Sequence, residues 1–557
     1  MSYLIIFMLA IRAFICEKTW PTAGIFFDIC FCLCFLLYIL IDPKLRVSRK
    51  YFIYPLIYSG LLLLNTFFSV NSYNSQNEIV KLWVYMLIFY FVYWQNQKNR
   101  RLLIGSICAI SLFISLRAIY QYAFGLEYIK QHYAYAQIVE QGFYALEMLK
   151  QKRVVSWFLS PNLLAGYLVM IAPLAGAYGF ESFKQQKINQ SIFFTLIFIC
   201  SAVGLYFTGS WGAYLGFAIA MLFIILNPLG NKTALIESRK KNNKLILGGV
   251  FFLLILAALF SQRAKYFIDL ANPQNSLVQR LYYSQAAVKM IKENPLTGIG
   301  LGNFGLVYPQ FKQINANETI YAHNIFLQLW AELGTIIFIC FIFFAIYLLS
   351  RFLKKLRQQR EVGLIAASLA FLVYNFFDYS LMITQSGYVF FIVIACLFKP
   401  QEDSYPEKNN RFTPDNFLNK TSFIVICGVM IMFLTAEYCS LRSLDKADQF
   451  LKQGQTDKAL VLANTALKFR VNNDQIYYFI AVCYQQKAGK LFSPTAAAYY
   501  CQAIRLNPKY AFYYAYLGDY YFSHKLYPQA KKAYQQAIKH YPHNKKFKEI
   551  YSQIQGQ

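Results

Sequence analysis

Residues 191–226, SIFFTLIFICSAVGLYFTGSWGAYLGFAIAMLFIIL, contain no charged side chain. They divide into two apolar runs, 191–207 and 212–227, on either side of the short polar turn at 208–211. About 20 apolar residues in helical conformation span a bilayer core, so this stretch reads as a membrane hairpin. Similar runs extend in both directions, at 3–16, 23–41, 51–70, 79–94, 102–124, 158–180, 245–260, 325–350, 361–378, 386–398 and 421–440. Of the 557 residues, 57% are apolar and 14% charged, about half the charge of an ordinary soluble domain. That composition excludes a soluble enzyme for most of the chain, a disordered chain, a coiled coil and a secreted disulfide scaffold.

The net charge of +28, from 54 Lys and Arg against 26 Asp and Glu, follows from how the loops sort. Six loops (42–50, 95–101, 181–190, 228–244, 351–360 and 399–420) carry 23 Lys or Arg between them, and the alternate short loops (17–22, 71–78, 208–211 and 379–385) carry only Lys18. The positive-inside rule puts the first set in the cytoplasm. The N-terminus is then inside. The long loops 125–153 and 261–322 and everything after 440 are outside. The basic loops are explained by orientation rather than by nucleic acid. The N-terminus has neither a basic region nor a small-residue cleavage site, so 3–16 is read as a retained span. Ten of the twelve cysteines lie in or beside apolar runs as small hydrophobes. Cys483 and Cys501 fall in the tail, where buried thiols are favoured over a disulfide.

From 445 onward the composition turns to Ala, Tyr, Lys and Gln. YYCQAIRLNP (499–508) repeats as KAYQQAIKHYP (532–542), and both Ala503 to Ala537 and Pro508 to Pro542 are 34 residues apart. That is the tetratricopeptide period. The last unit places Tyr514, Leu517, Gly518, Tyr521, Ala530, Tyr534, Ala537 and Pro542 at the expected positions, and Ala447, Gly454, Ala459, Ala463 and Ala466 fit an earlier unit. The expected fold is all-α: a polytopic membrane helical bundle of 12–13 spans over 1–440, followed by a helical-repeat domain over 445–557 outside the membrane. Such a stack presents a concave surface to a partner.

Nucleotide and zinc-peptidase signatures (GxxxxGK[ST], HExxH) and a metal-holding DxD are absent. Within the outer loop, SLVQRLYYSQAAVKMIKE (276–293) predicts an amphipathic helix with Leu277, Leu281, Val288 and Ile291 on one side. Ser276 is placed to cap it, and Asn294-Pro295 ends it. A glycine-rich turn, LTGIGLGNF, follows. The next apolar helix opens with YAHNIFLQLWAELG, which sets His323 and Asn324 at the outer membrane edge and Glu332 two and a half turns further in. Ionisable groups at membrane depth are functional candidates. Here they are Arg117, Arg153, Arg280 and His323. Guanidinium groups fit a pyrophosphate by forked hydrogen bonds, and an imidazole suits deprotonation of a hydroxyl. For Arg117, anchoring to lipid phosphates is an equal reading.

RLYYSQAAVKMIKENPLTGIGLGNF followed by YAHNIFLQLWAELG resembles the signature of the O-antigen ligase and polymerase superfamily of bacterial membrane proteins. RVVSWFLSPNLLAGYLV (153–169) and TGSWGAYLGF (208–217) are similar to two further segments of that family. The resemblance implies a metal-independent, cofactor-free glycosyltransferase in the bacterial inner membrane. Its donor would be a glycan on undecaprenyl pyrophosphate, and its acceptor hydroxyl, at the periplasmic face, would sit on a glycolipid such as lipid A core, a growing polysaccharide or a protein. It also implies that Arg153 and Arg280 bind the donor pyrophosphate, that His323 activates or positions the acceptor, and that Asn162, Asn324 and Glu332 support them. Many relatives have Arg where this chain has Trp211, which leaves the site one cation short or recruits Arg117. Outside this class, a lipid-linked-glycan transporter predicts repeated halves and charged mid-span residues, of which Asp28 is the clearest. A non-catalytic scaffold would use only the repeats, through a protein partner.

Overall fold

The computed structural model describes residues 1–16, 19–41, 49–132, 149–226, 271–357, 361–398, 414–489 and 492–556. The basic loop 228–244, the apolar run 245–260 and residues 261–270 of the outer loop lie outside the described residues. Among those described, the regular elements are all helices. The first group is α1 (Ser2–Ile11), α2 (Pro21–Ile41), α3 (Arg49–Phe67), α4 (Ser72–Trp94), α5 (Gln97–Tyr120) and the short α6 (Leu126–His132). Next come α7 (Pro161–Lys184), α8 (Ile188–Thr208), α9 (Trp211–Leu226), α10 (Ser276–Glu293), α11 (Phe304–Phe311), α12 (Ile325–Arg357), α13 (Val362–Tyr374) and α14 (Thr384–Phe398). The long α15 (Pro414–Lys452) leads into α16 (Thr456–Phe469), α17 (Asp474–Ala488), α18 (Pro494–Leu506), α19 (Ala511–Ser523), α20 (Tyr527–His540) and α21 (Lys545–Gln555).

Six helical stretches among the described residues are long and apolar enough to cross a membrane: Pro21–Ile41, Gln97–His132, Pro161–Lys184, Ile188–Thr208, Ile325–Tyr347 and Lys420–Lys452. Shorter apolar helices occupy five of the other expected runs. This is a multi-pass, all-α membrane protein. Its centre is α7, which starts at Pro161 behind a Ser160 cap and is buried on nearly every face, against α8, α9, α13 and α14. Gly166 and Gly216 permit that packing, because a Cβ at either would collide with Ser380 or with the carbonyl of Ala370. On α2, α8 and α12, by contrast, Leu37, Ile192, Leu196 and Phe343 point outward, as helices bathed in lipid do.

The loops assigned by charge to one side meet in three dimensions. Val70 donates to the carbonyl of Ile299 at 3.0 Å, Tyr321 stacks on Tyr379 at 3.9 Å, and Gln385 donates to the carbonyl of Ala13 at 2.7 Å. From the basic segment 95–101, Arg100 reaches the carbonyl of Cys396 near the end of α14.

Helix α12 is broken at Gly334, whose φ of 73° is left-handed, a conformation glycine adopts without strain. The break frees carbonyls that cannot stay unpaired in a membrane. The glycine-rich turn takes them: Ile299 and Gly300 donate to the carbonyls of Ala331 and Glu332 at 3.0 and 2.9 Å, and Thr335 donates back to Pro295 at 2.8 Å. Gly298 also has a positive φ, and a Cβ there would strike the Glu332 carbonyl. Gly298 therefore serves backbone-to-backbone contact, and Asn65 of α3 also holds the turn by donating to Thr297 and accepting from Leu301.

Helix α15 runs unbroken past residue 445, so the compositional change falls inside one helix. Beyond it, α15–α16, α17–α18 and α19–α20 form successive helical hairpins. Ala459, Ala463, Ala466, Ala481, Ala503 and Ala537 are buried in them, and Gly518 sits against the ring of Tyr534. The tail is pinned to the membrane part. Arg470 pairs with Glu437 of α15 at 2.8 Å and donates to Asn77 at 3.1 Å. Glu437 also accepts from Tyr73 at 2.6 Å, and Asp474 accepts from Asn71 at 2.9 Å. At the far end, Tyr541 and Lys312 share Glu318. Cys483 is buried as expected, whereas Cys501 is exposed, and both are free thiols.

Candidate functional site

The predicted helix 276–293 has the expected ends, but its cap and buried face differ. Asn275, not Ser276, accepts from the Leu277 backbone. Gln279, Tyr283, Ala286, Ala287, Met290 and Ile291 face inward, while Leu281 and Val288 are exposed. Gln279 is buried because it ties the loop together, donating to Pro273 and Asn315 and accepting from Asn317. This orientation puts Arg280 over the segment that follows α13, where its Nε donates to the carbonyl of Phe377 at 3.0 Å.

Arg153 precedes α7 in sequence and meets the 208–211 turn. Its Nε donates to the carbonyl of Thr208 at 2.7 Å and its terminal nitrogen to the side chain of Asn162 at 2.8 Å. The Asn162 carbonyl in turn accepts from Tyr374 at 2.8 Å, and Ser210 donates to the Tyr374 hydroxyl. Ser380 donates to Asp378 at 2.7 Å, and the Tyr374 hydroxyl lies close to the same carboxylate. Asp378 is fully buried, and its Oδ1 lies 3.4 Å from Nδ1 of His323. One connected set thus gathers Arg153, Asn162, Arg280 and His323 around residues 374–380.

His323 has a φ of 51°, uncommon for a side chain with a Cβ. Its ring stacks on Tyr283 at 5.3 Å and meets Tyr379 edge-on at 4.9 Å. The imidazole keeps 20% of its surface exposed while its carboxylate partner keeps none. Burial pushes the Asp378 carboxyl up, but the neighbouring His323, Ser380 and Tyr374 outweigh it and hold the group below its ordinary range. An ionised carboxylate behind an imidazole fixes its tautomer and orientation and stabilises its protonated form.

The remaining expected residues have other surroundings. Asn324 is the N-cap of α12, accepting from the backbones of Phe326 and Leu327. Glu332 is fully buried and accepts from Gln328 and the backbone of Phe304, so it shapes the glycine-rich turn. The Arg117 guanidinium lies over the ring of Trp157 at 4.2 Å, an anchoring contact. Trp211 opens α9 beside Gly212, which packs against Phe377. The sequence reading missed Tyr374, Ser210 and Asp378. The signal for Asp378 was an acid at the end of the apolar run 361–378.

This geometry defines a polytopic membrane protein with a cationic and imidazole cluster at one end of its bundle. The family model described as O-antigen ligase matches residues 196–342, which include Ser210, Arg280 and His323. It covers well under half of the chain and leaves Arg153, Asn162 and Asp378 outside. No curated protein matches the chain. Among solved structures, the first TPR of Spaghetti (RPAP3) bound to an HSP90 peptide matches with 21% identity. That match covers 21% of this chain and 91% of that one, at a TM-score of 0.20.

Proposed function

We propose that the chain transfers a glycan from undecaprenyl pyrophosphate to an acceptor hydroxyl, in the manner of O-antigen ligases. The observation that carries this reading is the convergence of two guanidinium groups and a carboxylate-backed imidazole on one set of contacts. Arg153 and Arg280 hold the diphosphate through their guanidinium groups, each already oriented by a backbone carbonyl. The acceptor oxygen bonds to the anomeric carbon as that carbon's bond to the pyrophosphate oxygen breaks. The bonding pair leaves on undecaprenyl pyrophosphate, whose growing charge the guanidinium groups offset. The acceptor's proton passes to His323, and Asp378 stabilises the resulting imidazolium.

The loop charges support placing this face outside the inner membrane, with the tail, as tetratricopeptide-type repeats, on the same side. A glycolipid, a growing polysaccharide or a protein can each supply the hydroxyl, and the repeats favour a protein partner. The test is transfer of labelled lipid-linked glycan in membranes from a deletion strain complemented with wild type or His323→Ala. Loss of transfer with normal insertion is expected, and undiminished transfer by His323→Ala would remove this mechanism.

A further inference from the structure

A cavity of about 190 Å³ lies between α2, α4 and α15. Its walls include Asp28, Asn77, Glu78, Lys81 and Glu437 on the polar side and Ile25, Val84 and Phe433 on the apolar side. Lys81 also lines a narrower cavity with Leu163, Tyr321 and Met382. Leu163 adjoins Asn162, and Tyr321 stacks on Tyr379, the ring that meets His323. Lys81 is thus common to the walls of both cavities.

Its charges are compensated one by one. Asp28 faces Arg12 at 3.4 Å and accepts from Tyr388. Glu78 pairs with Lys81 at 2.7 Å, and Glu437 pairs with Arg470 at 2.8 Å. With each carboxylate paired to a cation, no positive charge is left over to hold a phosphate, and fixed ion pairs are poor company for a hydrocarbon tail. Carboxylates, an ammonium and an amide held in place, beside an apolar wall, suit the hydroxyls and ring faces of an uncharged sugar. Building on the transferase reading above, we propose that this cavity is a saccharide subsite. It holds sugar residues of one of the two substrates while the diphosphate lies at Arg153 and Arg280.

The test uses the full chain in lipid nanodiscs with maltotriose and chitotriose, each carrying a diazirine at its reducing end. Photolabelled peptides are expected within 21–28, 77–84 and 433–437. Ile25→Trp, which fills the cavity, should cut that labelling roughly ten-fold, and Ile25→Ala, which enlarges it, should not. In the transfer assay Ile25→Trp should raise one KM roughly ten-fold at little cost in kcat. A raised donor KM assigns the subsite to the donor glycan, and a raised acceptor KM to the acceptor. Labelling outside these segments, or labelling unmoved by Ile25→Trp, overturns the proposal even if transfer proceeds. Labelling at the cavity by a wild-type chain that transfers nothing would leave the subsite standing and sink the transferase reading.

Discussion

Nδ1 of His323 lies 3.4 Å from Oδ1 of Asp378, joining the mouth of α12 to the segment after α13 across a fully buried carboxylate. Replacing Asp378 by Asn keeps the shape and removes the charge that supports a protonated imidazole. Transfer should fall by about 10²-fold or more, with the donor KM little changed. Steady-state kinetics in membranes would check this, and an Asp378→Asn enzyme of wild-type kcat would separate Asp378 from the chemistry.

Arg280 touches the Phe377 carbonyl through Nε, which leaves the outer fork of the guanidinium for a ligand. Lysine keeps the charge but not the fork. Arg280→Lys should therefore weaken retention of radiolabelled undecaprenyl pyrophosphate by roughly ten-fold, about 1.4 kcal/mol. Binding equal to wild type would mean that Arg280 only fastens the loop.

Gly298 and Gly334 both have positive φ and both face backbone atoms of the other's segment. Alanine at either should lower stability by about 3 kcal/mol through strain and collision, read as a drop in the Tm of the solubilised chain. Gly60, beside which a Cβ meets nothing within 4 Å, is the control, and Gly60→Ala should leave Tm unchanged or slightly raised.

Arg470→Ala strands Glu437 in a buried site, which typically costs about 3–5 kcal/mol. Because the pair joins the tail to α4 and α15, hydrogen exchange should accelerate at 71–77 and 470–475 before it does within α20. Arg470→Met with Glu437→Gln should recover part of the protection, since no isolated charge remains.

His540 packs on Tyr514 in the tail. Burial, then the charges of Lys509 and Lys539, push its pKa down from 6.5 to about 4. The folded tail thus favours the neutral ring, so protonation favours unfolding. Tail stability should decline as pH falls from about 6.5 toward 4, followed by exchange in 527–555. His540→Gln should flatten that decline, and an unaltered pH profile would rule out this group as its source.

The apolar runs and the alternation of basic loops were legible because membrane length and topology leave direct marks on composition. Residues 276–293 were legible in extent, since Asn294-Pro295 ends them, but not in facing. Choosing the apolar face assumes that water drives it inward. Leu281 and Val288 instead point outward, while Gln279 goes in to satisfy three backbone groups. The same limit applies to Asp378 and Tyr374, whose importance arises from partners more than 50 residues away. Glycines 298 and 300 were legible as a turn, yet what they approach becomes visible only with the break at Gly334.

That break also bears on how the chain is made. Carbonyls exposed by an interrupted helix are costly in hydrocarbon, and here every group that receives them, at 295–300 and on Asn65, precedes α12 in translation order. When the ribosome delivers residues 325–357 to the insertion machinery, their capping strand already exists. The hairpin can therefore seal co-translationally, without waiting for α13–α15 or the tail.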